Sequence, residues 1–314
     1  MAFVSSVPQC STNLDQRVGM IAMILAMTLL PVGDAISKTL TEVATPVQVT
    51  AWRTLAQTAF FVPVAILFRP AMTGPVFTIM SLISAVLILT VTLSLVTAFK
   101  TMPIATAIAI FFVEPLLLTL LAGPLLREAP GMRRYVACSI GLIGALIVIR
   151  PNFVAFGPVV LLPVVAAFAY AINMIVMRRA TRRQSALGFQ FGASVFAAVF
   201  VLASLPMSGA VFGSGAGDRL PDWVLPMVIL AGALAMLSFL LIAFAFSISE
   251  ASALAPFQYL EIVGAILVGF LVFDEMPDAM TLLGASIILA SGAYVFHRER
   301  KRNIEITSAT LRDR

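Results

Sequence analysis

A chain of 314 residues that is 61% hydrophobic and only 11% charged, with a mean hydropathy of +1.04, carries far more apolar side chain than a water-soluble core needs, which excludes an ordinary soluble domain. Its net charge of +5 invites a nucleic-acid reading, but the basic residues sit in short loops between apolar runs, so no nucleic-acid partner is expected. Two cysteines, Cys10 and Cys138, provide no disulfide framework.

Residues 1–17 form a polar leader with no basic stretch ahead of an apolar one, so it is expected to be a loose cytoplasmic tail and not a cleaved signal. Apolar runs of about 20 residues, the length that crosses a bilayer as a helix, then recur. Ten are expected, near 18–40, 46–68, 75–98, 103–125, 132–150, 156–177, 186–205, 222–246, 251–273 and 279–297, with a cytoplasmic tail at 298–314. Period-2 alternation is missing, which argues against a membrane barrel. With the N-terminus inside, fifteen Lys and Arg residues fall in inner segments. Only Lys38, Lys100, Arg150 and Arg219 fall in outer ones, so both termini are expected in the cytoplasm of a multi-pass inner-membrane protein. Trp52 and Trp223 begin helices at the outer face, where an interfacial aromatic belt would place them.

In the first span the run PVGDAISK carries Pro31, Gly33, Asp34 and Lys38, and in the second TAWRTLAQT carries Arg53. Counting from the turn between them puts Asp34 and Arg53 at matching depths, about 10 Å below the outer surface. Lys38, four residues on, can also reach Asp34. The pair either locks the hairpin or forms a polar wall of a solute cavity, with Arg53 holding an anionic or carbonyl group. The Pro–Gly step, read as irregular backbone at depth, favours the cavity. The third span has only mild polar positions such as Thr92.

The fourth span, PIATAIAIFFVEPLLLTLL, places one carboxylate, Glu114, near the middle of an apolar helix, with Pro115 beside it freeing a carbonyl one turn back. An acid at that depth costs about 3 kcal/mol or more unless it faces a bundle interior or water. The fifth span brings Ser139, Gly141, Gly144 and Ala145 to spacings that suit close helix packing. Tyr170 and Asn173 are the polar residues of the sixth, where AYAIN faintly echoes DAIS of the first. The ninth repeats the fourth, with Gln258 and Tyr259 just before Glu261, and the tenth repeats the fifth with Gly284, Ser286, Ser291 and Gly292. Glu114 and Glu261, Glu128 and Glu275, and Pro130 and Pro277 all stand 147 residues apart. Two copies of one unit, 18–150 and 156–297, are therefore expected. Five spans per copy is odd, so the second copy inserts upside down. The fold class is all-α, with ten transmembrane helices in two inverted five-helix repeats. Such repeats suit alternating access around a midplane site, with Glu114 and Glu261 facing one cavity and protons as a coupling ion.

VEPLLLTLLAGPLLREAP with IGLIGALIVIRP, and YLEIVGAILVGFLVFDEMPD with LLGASIILASGAYVFHRER, resemble the paired signatures of the EamA family of the drug/metabolite transporter superfamily. That resemblance implies ten helices in two inverted repeats, a central cavity and cytoplasmic termini. GDAISK and WR resemble members that carry S-adenosylmethionine or riboflavin. Pro115 against Ile262 is a departure from strict symmetry between the copies.

The expected function is secondary transport of a small polar solute. A flat aromatic vitamin such as riboflavin, taken up, suits Phe111, Phe112, Phe257, Tyr259 and Trp52 as stacking faces with Arg53, Asn173 and Gln258 as hydrogen-bonding groups. The alternatives are an exporter of amino acids or related metabolites, or an S-adenosylmethionine transporter. The candidate substrate-binding residues are Asp34, Arg53, Phe111, Glu114, Tyr170, Asn173, Gln258, Tyr259 and Glu261. Membrane lipid is the expected surrounding, and no cofactor or metal is expected. An intramembrane enzyme is not expected: no second membrane Asp joins Asp34, and the single histidine, His297, ends the last helix. A passive channel fits poorly with inverted halves and no pore ring.

Overall fold

The computed structural model describes residues 13–126, 132–181, 183–208, 220–248, 254, 257–291 and 293–294, and among them every regular element is a helix. In order these are α1 (Asn13–Leu40), α2 (Pro46–Leu67), α3 (Ile79–Thr101), α4 (Ile104–Phe111), α5 (Glu114–Leu126) and α6 (Met132–Phe156). A 3₁₀ turn, Gly157–Leu161, leads into α7 (Leu162–Ala180), α8 (Ala186–Ser208), α9 (Val224–Ile248) and α10 (Leu260–Phe273), and α11 (Ala279–Ser291) closes the described chain.

Local sequence sets the tight turns. Thr45 caps α2 in a reciprocal box: its hydroxyl accepts from the Gln48 N–H at 3.3 Å, and the Gln48 side chain accepts from the Thr45 N–H at 2.8 Å. Pro46 fills the first helical position, where no N–H is needed. Among the described residues five helical stretches are long and apolar enough to cross a membrane, namely Arg17–Leu40, Ile79–Thr101, Ser139–Met177, Ala186–Ser204 and Val224–Ala245. The outward faces match: Val154 is 87% exposed, Leu271 76% and Leu67 75%. Water would penalise such a coat and lipid does not, so this is a multi-pass membrane protein.

The helix pairings place the centre of the bundle. α1 lies along α9 and α10, α3 along α7 and α8, α2 against α8 and α9, and α7 against α4 and α5, while α4 touches α10. Every residue of α4 is buried.

Three sequence expectations need correction. The fourth span is not one helix over 103–125: it stops at Phe111 and restarts at Glu114. Pro115 has no N–H to give the carbonyl four residues back, and the chain tightens through Val113 N–H to Ile110 O at 3.2 Å. Conversely, Pro31 and Gly33 do not interrupt α1, which stays helical throughout. The Pro31 ring is accommodated by Gly264 of α10, where a Cβ would stand 2.7 Å from the Pro31 Cγ. Trp52 is no belt residue; it is 5% exposed and packs with Ile36, Leu40 and Val49, because the seventh residue of α2 faces the bundle.

The small-residue spacing of the fifth and tenth spans brings α6 and α11 together. A Cβ on Gly284 would lie 2.6 Å from the Gly144 carbonyl oxygen, and one on Gly144 would lie 2.8 Å from the Ile287 Cγ2. Asn152 Nδ2 adds hydrogen bonds to Val148 O at 2.7 Å and to Thr281 Oγ1 at 3.3 Å. Gly284→Leu is therefore expected to destabilise the folded protein by about 2–3 kcal/mol or more. Ser286→Leu, on the exposed side of the same helix, is expected to be tolerated. Thermal melts of the two purified variants check the difference.

Candidate functional site

Asp34 on α1 and Arg53 on α2 meet as expected: Arg53 Nη1 donates to Asp34 Oδ1 at 3.2 Å, and both side chains are buried. The same nitrogen donates to Ser37 Oγ at 3.1 Å, and Ser37 in turn donates to the Gly33 carbonyl at 2.8 Å. Such a buried pair is held in one geometry by its surrounding hydrogen bonds. Lys38 does not join it. Its ammonium donates to both oxygens of Glu275, at 2.5 and 2.7 Å, and to the Met102 carbonyl at 3.2 Å, and it lies 5.0 Å from the centre of the Phe273 ring. One side chain thus ties the end of α1 to the α3–α4 turn and to the segment after α10. Glu275 is presented by a left-handed cap at Asp274 (φ 54°), where the Glu275 N–H bonds to the Gly269 carbonyl at 3.0 Å.

The helix restarts place the two glutamates alike. Glu114 lies in the first turn of α5 and Glu261 in the first turn of α10, which begins after Tyr259. Among the described residues neither carboxyl makes a hydrogen bond or an ion pair. Glu114 is only 8% exposed. Both line a cavity, with about 100 Å³ open to water-sized groups, that also takes in Asp34, Arg53, Phe111, Tyr170 and Gln258. Each negative end is thus beside the positive pole of its own half-length helix.

Seven of the nine residues singled out from sequence share this wall. Tyr259 stands behind it, its ring centre 6.0 Å from that of Phe112. Asn173 lies outside it, 2% exposed, with its side-chain oxygen accepting from Ser84 Oγ at 2.6 Å. The aromatic rings form a continuous row, Tyr170 to Phe111 at 5.7 Å and Phe111 to Phe112 at 6.4 Å, continuing to Tyr259. Phe257 belongs instead to a packing cluster with Met23 and Ile242. Gln57, Thr92, Met27 and Phe239 line the cavity without having been expected there. Gln57 was detectable, since it repeats Arg53 one turn on as a polar residue in an apolar span.

Among the described residues, a bundle of helices closes around a cavity carrying one ion pair, two carboxyls without partners and a row of aromatic faces. The chain belongs to the EamA-like transporter family, whose pattern it matches over residues 17–150 and again over 157–296. It is 29% identical over 199 residues to the S-adenosylmethionine uptake transporter of Rickettsia felis, covering 63% of this chain and 65% of that protein. Over 208 residues it is 32% identical to the riboflavin transporter of Vibrio cholerae, covering 64% and 65%. The riboflavin transporter of Rhizobium johnstonii is 27% identical over 201 residues, covering 64% of each. The chain thus spans just under two thirds of the length of these relatives. A solved structure described only as the crystal structure of a protein superposes on 93% of this chain and 99% of its own with a TM-score of 0.57 at 15% identity. That likeness concerns the fold alone.

Proposed function

We propose that this chain is a secondary transporter that takes up a flat heteroaromatic metabolite, riboflavin as the leading solute, across the cytoplasmic membrane by alternating access. The observation that carries the reading is the shared cavity, to which the segments around Glu114 and Glu261 contribute from separate halves of the chain. Ten spans in two inverted repeats, 18–150 and 156–297, account for the helix pairings. Exchanging each helix for its counterpart turns α1 on α9 into α7 on α3, and α1 on α10 into α7 on α4 and α5. Charge placement supports cytoplasmic termini, which puts the Lys38–Glu275 contact on the outer side.

The row Tyr170, Phe111, Phe112 suits a flat ring system, and Arg53 and Gln258 supply polar contacts at its edge. Two carboxyls without partners suit proton coupling, since protonation relieves the cost of holding them at depth. The same carboxyls favour a second reading, S-adenosylmethionine, whose sulfonium can sit between them and over an aromatic face. Both solutes join a flat heterocycle to a hydroxylated five-carbon unit, an open chain in riboflavin and a ribose ring in S-adenosylmethionine.

Labelled-solute uptake by cells expressing the chain tests both readings. Saturable riboflavin accumulation above the empty-vector level, sensitive to a protonophore, is the expected result. Saturable S-adenosylmethionine accumulation in its place selects the second reading. No saturable uptake of either sinks the proposal.

A further inference from the structure

Beside the central cavity lies a small recess, with about 20 Å³ open to water-sized groups, between α2, α3, α8 and α9. Arg53, Gln57, Thr92 and Phe239 belong to both walls, so the two spaces adjoin. The recess exists because α8 turns small residues to it, Ala193 and Ala197 among them. Its depth is fixed by a cross-brace, in which Thr58 of α2 meets Ser194 of α8 hydroxyl to hydroxyl at 2.7 Å and donates to the Ser194 carbonyl at 3.1 Å.

The chemistry of the recess differs from that of the main cavity. Among the described residues Arg53 is the one charged residue in its lining, and Asp34 already neutralises it. What remains is uncharged: the hydroxyl-bearing Thr54, Thr92 and Ser194 and two carboxamides, Gln57 and Gln190. Both are half-buried, and neither makes a hydrogen bond among the described residues. Amides on such a partly open wall pair with water, or with an occupant that both donates and accepts in its place. Carboxylates only accept and ammonium groups only donate, whereas a hydroxyl does both.

We infer that this recess is a second subsite of the transport cavity, which holds a neutral, hydroxyl-bearing arm of the solute while the flat head lies on the aromatic row. Gln57 and Gln190 read the arm, and waters fill the recess when the arm is absent. The inference rests on the transport reading above.

Thermal shifts of the purified full-length protein test it with two compound pairs. Riboflavin is compared with lumiflavin, which has the same ring and a methyl group in place of the hydroxylated chain; adenosine is compared with adenine. Wild type is expected to half-saturate at about tenfold lower concentration of the hydroxylated member of one pair. In Gln190→Leu, and in Ala197→Met, which narrows the recess while keeping both amides in the sequence, that ratio falls toward one. A preference that survives in both variants overturns the subsite while leaving the transport reading intact. Equal weakening of both members of a pair marks a merely structural role and overturns it too. If neither pair shifts the wild-type melt, the solute class fails and the subsite falls with it.

Discussion

Glu114→Gln and Glu261→Gln are each expected to lower concentrative uptake by about 10- to 100-fold, the range for losing one charge-assisted contact to a cation or a proton, in proteins that still fold. The second half of this expectation follows from the site geometry. Neither carboxyl has a partner among the described residues, so an amide of the same shape leaves no group newly stranded. The first half follows from position: with both side chains on one cavity, each variant removes a titratable group from the proposed path of the solute. The two lesions differ in kind. Glu261 lies within electrostatic reach of Asp34 as well as Glu114, and no proline follows it, whereas Pro115 pins the backbone at Glu114. Initial rates with and without an imposed proton gradient separate binding from coupling. Wild-type rates with unchanged pH sensitivity in both variants would remove the acids from the mechanism.

The second large effect is expected at Lys38 and Glu275. The ammonium binds both carboxylate oxygens and one backbone carbonyl, with side chains 13% and 26% exposed, so the contact is worth about 1–2 kcal/mol, or about 5- to 30-fold in a conformational equilibrium. The matching residue in the AYAIN segment of the second half is Met174, which carries no charge to form the mirror-image contact. Breaking the ion pair therefore favours opening on the proposed outer side alone. In a background with Cys10 and Cys138 replaced by Ser, a cysteine at Leu95 on the cavity wall reports access from outside. Lys38→Ala or Glu275→Ala is expected to raise its labelling by an impermeant thiol reagent about tenfold. The charge-exchanged double variant, Lys38→Glu with Glu275→Lys, is expected to bring labelling back toward the wild-type rate. Equal labelling in all four proteins would show that the pair does not hold this side shut.

The parts of the site legible in the sequence are those where one residue breaks a uniform background. Glu114 and Glu261 stand out in apolar spans, and Asp34 and Arg53 could be matched by counting from a short turn. What the chain hides is rotation about each helix axis and partners brought from afar. Lys38 was within one turn of Asp34, yet Arg53 occupies that carboxylate and the fold delivers Glu275 from 237 residues away. Asn173 looked like a free polar group until Ser84, 89 residues distant, took its oxygen. Phe111 and Phe257 were equivalent candidates by type, but only the first turns inward. Pro31 and Pro115 were equal breakers in principle. A facing glycine lets α1 run on past Pro31, whereas the backbone before Pro115 stops and restarts.

That stop gives the fourth pass an elbow. On one side α4 is clamped by neighbours over its whole length; on the other, the 13 residues of α5 form an arm about 20 Å long, whose far end sweeps about 3 Å for each 10° of swing. Glu114 sits at that break, and α7 packs against the helices on both sides of it, so the proposed change in its charge would act where the fourth pass is least continuous.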